Sequence, residues 1–115
     1  MSRFANDTIV PEGGQSLNTD WTGPAIPLLF LTEYAIQLEF TGVIAGVFFL
    51  ECSNDDDDSS EAVWSIINGS AQTISEAGDH TWEVREAGYR QVRVVWQHNG
   101  GTGTLRKARF HAKGA

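Results

Sequence analysis

The residues from 88 to 112, GYRQVRVVWQHNGGTGTLRKARFHA, constrain the rest of this chain more than any other stretch. Arg90, Val92, Val94 and Trp96 alternate with Tyr89, Gln91, Arg93, Val95 and Gln97. That is the period-two pattern of a β-strand, and its β-branched and aromatic content reinforces it. The pattern breaks at His98-Asn99-Gly100-Gly101-Thr102-Gly103, where glycine and asparagine offer the positive φ of a chain reversal. The reading is a hairpin whose second strand covers residues 104–112. Such a hairpin leaves an apolar face uncovered and does not stand alone in water, so other strands must pack on it.

The remaining sequence supplies those strands. Between residues 33 and 41, Tyr34, Ile36, Leu38 and Phe40 fall on one face, opposite Glu33, Gln37, Glu39 and Thr41. Residues 41–46, opened and closed by glycine, read as a loop. In the strand over 47–53, Phe48, Leu50 and Cys52 lie on one side and Val47, Phe49 and Glu51 on the other, so both faces are expected to be partly covered. Short strands are expected over 15–22 and 25–30, the second at a sheet edge because Pro27 has no N–H to donate. Another is centred on Trp64 and Ile66. Asn68-Gly69 signals a hairpin, with residues 70–75 pairing back. Residues 80–85 carry Trp82 and Val84 inward. The first 14 residues read as a flexible arm before a domain over 15–115. A chain of 115 residues suits one two-layer core. The expected fold is all-β: a single antiparallel β-sandwich, jelly-roll or immunoglobulin-like, of seven to eight strands.

The net charge of −7 hides a division. Residues 1–84 hold one basic and fourteen acidic side chains; from Arg85 onward there are seven basic and one acidic. Such asymmetry suits a nucleic-acid patch or a head-to-tail contact between copies. The acidic balance repels phosphate, so contact between proteins is the expectation and nucleic acid is not. A lone cysteine, Cys52, allows no internal disulfide and reads as a buried inert thiol. No leader peptide and no apolar run of about 20 residues is visible. A soluble protein made in a cytoplasm, without membrane contact, is expected.

Candidate chemistry is sparse. Asp55, Asp56, Asp57 and Asp58, with Glu51 and Glu61 nearby, suggest Ca²⁺. They lack the alternate ligand spacing, glycine and closing glutamate of an EF-hand. A solvated loop or an electrostatic contact with a neighbouring subunit is expected there, and no metal. His80, His98 and His111 are too scattered for a zinc site. No motif selects a nucleophile with its base, or two facing carboxylates, so catalysis is not expected. The run Asn99-Gly100-Gly101-Thr102-Gly103 lacks the lysine and helix of a phosphate loop, and no cofactor is expected. Trp64, Trp82 and Trp96 read as core. Trp21, in a polar glycine-flanked stretch, is the tryptophan best placed to meet a partner.

Several of these segments together resemble a known group. They are IQLEFTG at 36–42, GVF at 46–48, LECSND at 50–55, Trp64, YRQVRVVW at 89–96, GTL at 103–105 and Lys113-Gly114. The pattern resembles small β-sandwich proteins from the virions of tailed bacteriophages and related bacterial viruses, and spans residues 15–115. This chain departs from it by expanding a short turn after Ser53-Asn54 into four aspartates. The resemblance implies a virion structural protein: a capsid decoration or minor capsid protein, or a tail or fibre component. Its partners would be copies of itself in a homo-oligomer and other virion proteins. On that reading the contacts fall to Trp21, Asp55, Asp56, Asp57, Asp58, Arg93, Arg106, Lys107 and Arg109. The alternative is a carbohydrate-binding module that attaches to a host surface glycan through an exposed tryptophan.

Overall fold

Two strands far apart in the chain, β5 (Glu33–Ser53) and β9 (Gln91–Gly114), pair antiparallel along their whole length, from Glu33 opposite Lys113 to Ser53 opposite Gln91. The computed structural model describes residues 3–10, 13–28, 33–54, 62–85 and 89–114, with 3–8 and 113–114 described as backbone only. Everything else in it lines the outer edges of this pair. Along β9 run β1 (Arg3–Thr8), β2 (Gln15–Ser16), β3 (Trp21–Thr22) and β4 (Ile26–Pro27), all antiparallel to it. Along β5 run β6 (Ser65–Ile66), β7 (Gln72–Ile74) and β8 (Gly78–Val84), also antiparallel. No helix occurs among the described residues. The sheet is therefore four ribbons wide, with two unbroken ribbons inside and two interrupted ones outside.

The ribbons bend at mid-length, and this overturns the expected hairpin. Residues 98–103 do not reverse the chain, and 41–46 do not form a loop. Both stretches stay in strand, with Thr41 opposite Thr104 and Ile44 opposite Gly101. The glycines serve a bend instead of a turn. Gly101 has φ +77, and a β-carbon there would collide with the main-chain oxygen of Val43. At Gly46 a β-carbon would strike the Gln97 carbonyl and lie 2.5 Å from the Trp96 ring. Register shifts accompany the bend, one between Ile44 and Gly46 and another between Glu39 and Phe40 that leaves Arg106 as an extra residue. Bulges of this kind bend a strand and increase its twist.

Bending divides the sheet into two four-stranded halves. One half orders β1, the second part of β9, the first part of β5, and β8. The other orders β3 and β4, the first part of β9, the second part of β5, and β6–β7, while β2 pairs just beyond the bend, at Thr104 and Leu105 of β9. The expected all-β antiparallel fold is present, and a core shared by the two halves is compatible with the expected sandwich.

The inner faces meet in one core. Ile36, Leu38, Leu50, Val92, Val94, Trp96 and Leu105 are fully buried. Phe48 links the layers: its ring lies 5.6 Å from Phe40, 4.4 Å from Trp96 and 6.5 Å from Trp82. Both buried indoles are satisfied inside the chain, Trp82 donating to Ser70 O at 2.9 Å and Trp96 to Leu17 O at 3.1 Å. Burying these polar tips without partners would cost about 1–3 kcal/mol each. Arg3–Thr8, which the sequence reading places in an N-terminal arm, is the edge strand β1, and Ile9 and Val10 after it are buried.

Asn68-Gly69 is a turn, with Gly69 at φ +82, yet it joins no hairpin. Both β6 and β7 pair with β5 and not with each other. Between them the Ser70 hydroxyl takes the place of a strand partner, accepting from Leu50 N at 3.0 Å and donating to Ile67 O at 2.7 Å. A side chain thus fills the gap in the ladder.

Gly46→Ala is expected to lower unfolding stability by about 1–3 kcal/mol, the usual cost of forcing atoms into a packed interior. Urea denaturation measures it. A midpoint equal to that of the parent chain would mean that β5 and β9 have room to separate at this point.

Candidate functional site

The two outer faces of the sandwich differ in kind, because the bulge and the strand alternation send different residues to each. On the layer built from β8, the first part of β5 and the second part of β9, the outward-facing positions form columns. Lys107, Arg109 and His111 stand on β9, Glu39, Gln37 and Ala35 beside them on β5, and Asp79, Thr81 and Glu83 on β8. In register, Lys107 lies opposite Glu39, and Glu39 opposite Asp79. Two carboxylates directly across a ladder repel each other. Among the described residues, Arg106, Lys107, Arg109, Glu39, Asp79 and Glu83 form no ion pair within the chain. Gln37, Glu39, Lys107 and Arg109 line a depression of 110 Å³.

On the opposite layer the outer face is partly apolar. Phe49 is buried there and Val47 and Val95 are half-buried, so both faces of this strand are covered as expected. Arg93 crosses to Glu51, its register partner, and its Nε and one terminal nitrogen reach the same Oε1 at 2.8 and 2.7 Å. The guanidinium also lies 4.0 Å from the centre of the Trp64 ring. Trp64 is therefore half-exposed and roofed by Arg93, outside the core in which the sequence reading placed it. Ile66 beside it is exposed as well. Ion pairing and stacking together hold Arg93 in place within its own chain.

The predicted contact residues thus scatter. Lys107 and Arg109 share one outer face, with Arg106 exposed at the bulge beside them, while Arg93 is on the other. Trp21 is half-buried opposite Trp96, with its ring above Gly23 and packed against the core. The preceding Asp20 accepts from His98 N at 2.8 Å, pinning the start of the bend. Asp55, Asp56, Asp57 and Asp58 lie outside the described residues. The columns of Glu39, Asp79 and Glu83 escaped sequence reasoning because only the register brings them beside Lys107. Glu51 was noted in the sequence as lying near a possible cation site and on the same side of its strand as Val47 and Phe49, and the register makes it Arg93's partner.

Solved structures share this architecture. The SPBc2 prophage-derived protein YomS matches with a TM-score of 0.60 at 11% identity, over 98% of this chain and 95% of that one. The coat protein of Tobacco streak virus matches with a TM-score of 0.52 at 12% identity, over 99% and 86%. A xylan-binding domain, CBM22-1 from Paenibacillus barcinonensis Xyn10C, matches with a TM-score of 0.52 at 10% identity, over 100% and 86%. At such identities the likeness is one of fold. No family model and no curated protein sequence matches the chain.

The clearest perturbed groups lie at the end of the sandwich where β5 starts. Tyr34 and Tyr89 share a short hydrogen bond between their hydroxyls, their rings edge to face at 6.3 Å. Burial pushes the Tyr34 phenol far above its ordinary value, and the Tyr89 hydrogen bond adds to this. Tyr89 is raised too, mainly by burial. Burial also raises the thiol of half-buried Cys52, which keeps it protonated, in line with an inert cysteine. His80, edge-on to Trp82 at 4.8 Å, is lowered by burial. Among the described residues no group of three metal-ligating side chains comes together.

The chain has two tyrosines, and they are this pair. A phenol whose pKa is raised by folding contributes stability below its unfolded value of about 10, and that stability is lost as pH rises further. Tyrosinate absorbance should therefore stay absent through pH 10 and appear only together with loss of the fold. An independent titration near pH 10 in the folded protein would contradict the buried pair.

Proposed function

We propose that this protein is a non-enzymatic structural component of a bacterial virus particle, acting through contacts with copies of itself and with other particle proteins. Its place would be the capsid, as a decoration or minor capsid protein, or the tail or fibre. The observation that carries the reading is the polar outer face. It presents Lys107 and Arg109 in one column and Glu39, Asp79 and Glu83 in others, with no ion pair among these described residues, an arrangement suited to a complementary protein surface. The whole-chain likeness of fold to a prophage-derived protein and to a viral coat protein supports it, as does the resemblance of the sequence to small phage virion proteins.

The carbohydrate-binding alternative has the fold likeness of a xylan-binding domain on its side. It calls for an open aromatic platform. Trp82 and Trp96 are buried, Trp64 is roofed by Arg93, and Trp21 is half-buried against the core.

Native mass at low and at high salt tests the proposal. An oligomer that loosens as salt rises is expected, since exposed charge contacts are screened over about 10 Å at 0.1 M salt. A monomer under both conditions, with tryptophan fluorescence that responds to glycans, would overturn it in favour of sugar binding.

A further inference from the structure

Resting on that reading, we infer that the protein pairs with a second copy of itself face to face, through the polar outer face of the β8–β5–β9 layer. The columns are self-complementary. Rotation by 180° about an axis parallel to the strands, lying over β5 midway between the two faces, brings the β9 column of one copy over the β8 column of the other. Position along the strands is unchanged by that rotation. Lys107 then meets Asp79 of the other copy, and Arg109 falls between its Asp79 and Glu83, because 107 and 79 share one row through Glu39, and 109 and 81 share the next through Gln37. Each contact occurs twice.

The distances suit these side chains. Facing sheets pack about 10 Å apart, a gap that a lysine or arginine together with a carboxylate fills. Neighbouring strands are about 4.8 Å apart, so both charged columns stay near the axis. The twist of about 30° between aligned sheets then displaces them little. All four residues are exposed. Glu39 and Asp79 are directly opposed in the chain, and among the described residues neither is in an ion pair. The facing basic column sets Lys107 over Asp79, while Glu39 comes over Glu39 of the other copy with a Lys107 on either side. The charge division of the sequence thus favours an isologous contact over the head-to-tail one, because the basic strand lies inside the sheet beside acidic neighbours on the same face.

A charge-swap experiment tests this. One variant carries Lys107→Glu and Arg109→Glu; the other carries Asp79→Lys and Glu83→Lys. Each alone places like charges against each other and should weaken self-association by roughly a hundredfold. Mixed in equal amounts, they should restore association as a complex containing one of each, read by native mass spectrometry. Circular dichroism checks that each variant is folded, and restoration on mixing requires it. Parent-like association of each variant alone, or loss without restoration in folded variants, overturns this interface while leaving self-association standing. A parent protein that is monomeric at low salt overturns both.

Discussion

The long antiparallel pairing of β5 with β9 through a common bend is what the rest of the structure depends on. It joins residues separated by up to about 80 positions in sequence, and among the described residues it gives the edge strands their strand partners. None of the two- and three-residue strands would persist alone, because so few ladder bonds do not offset the ordering of the backbone. They persist as pieces of an interrupted ribbon along a continuous template. The template bends where a side chain would prevent it, at Gly46 against Trp96 and at Gly101 against Val43. Folding the ribbon there brings Phe48 over Trp82 and closes the core.

Alternation was the part of this fold most legible in the sequence. Tyr34, Ile36, Leu38 and Phe40 are buried on one face as their spacing predicts, and so are Val92, Val94 and Trp96. Such patterns register burial on one side of a strand, which is a local property. The glycine-rich breaks were misread because glycine signals reversal and bending alike, and the choice is made by a partner far away. Ile44 lies opposite Gly101, and no window around either residue contains the other. Trp64 failed for a related reason. Alternation shows that it lies on one side of a strand, but whether that side is inner or roofed by Arg93 depends on the register of β5 and β9.

The candidate site was legible in composition and obscure in arrangement. Residues 85–115 are visibly basic, and Lys107 and Arg109 are exposed as expected. The charge division in the sequence suggested a head-to-tail contact between an acidic surface of one copy and a basic surface of the next. Instead the basic ribbon is an inner one, flanked by β5 and by the N-terminal strands. A basic column therefore stands beside two columns that carry carboxylates, on a single face and at the spacing of strands. Arg93 belongs to the same basic segment and has the opposite fate, because its register partner is Glu51 and a tryptophan lies above it.

A fold shared by a coat protein and a xylan-binding domain cannot decide between their roles, since function resides in what each copy of the fold places on its surface. In this chain the decisive placement is that of the tryptophans relative to the charges. Sugar stacking needs a flat aromatic face that water can leave. The two indoles with buried rings spend their N–H groups on Ser70 and Leu17, and a third is covered by a guanidinium anchored to Glu51. Among the described residues, Lys107, Arg109, Glu39, Asp79 and Glu83 of the other layer are exposed and form no ion pair. That distribution favours contact between proteins as the work of this domain.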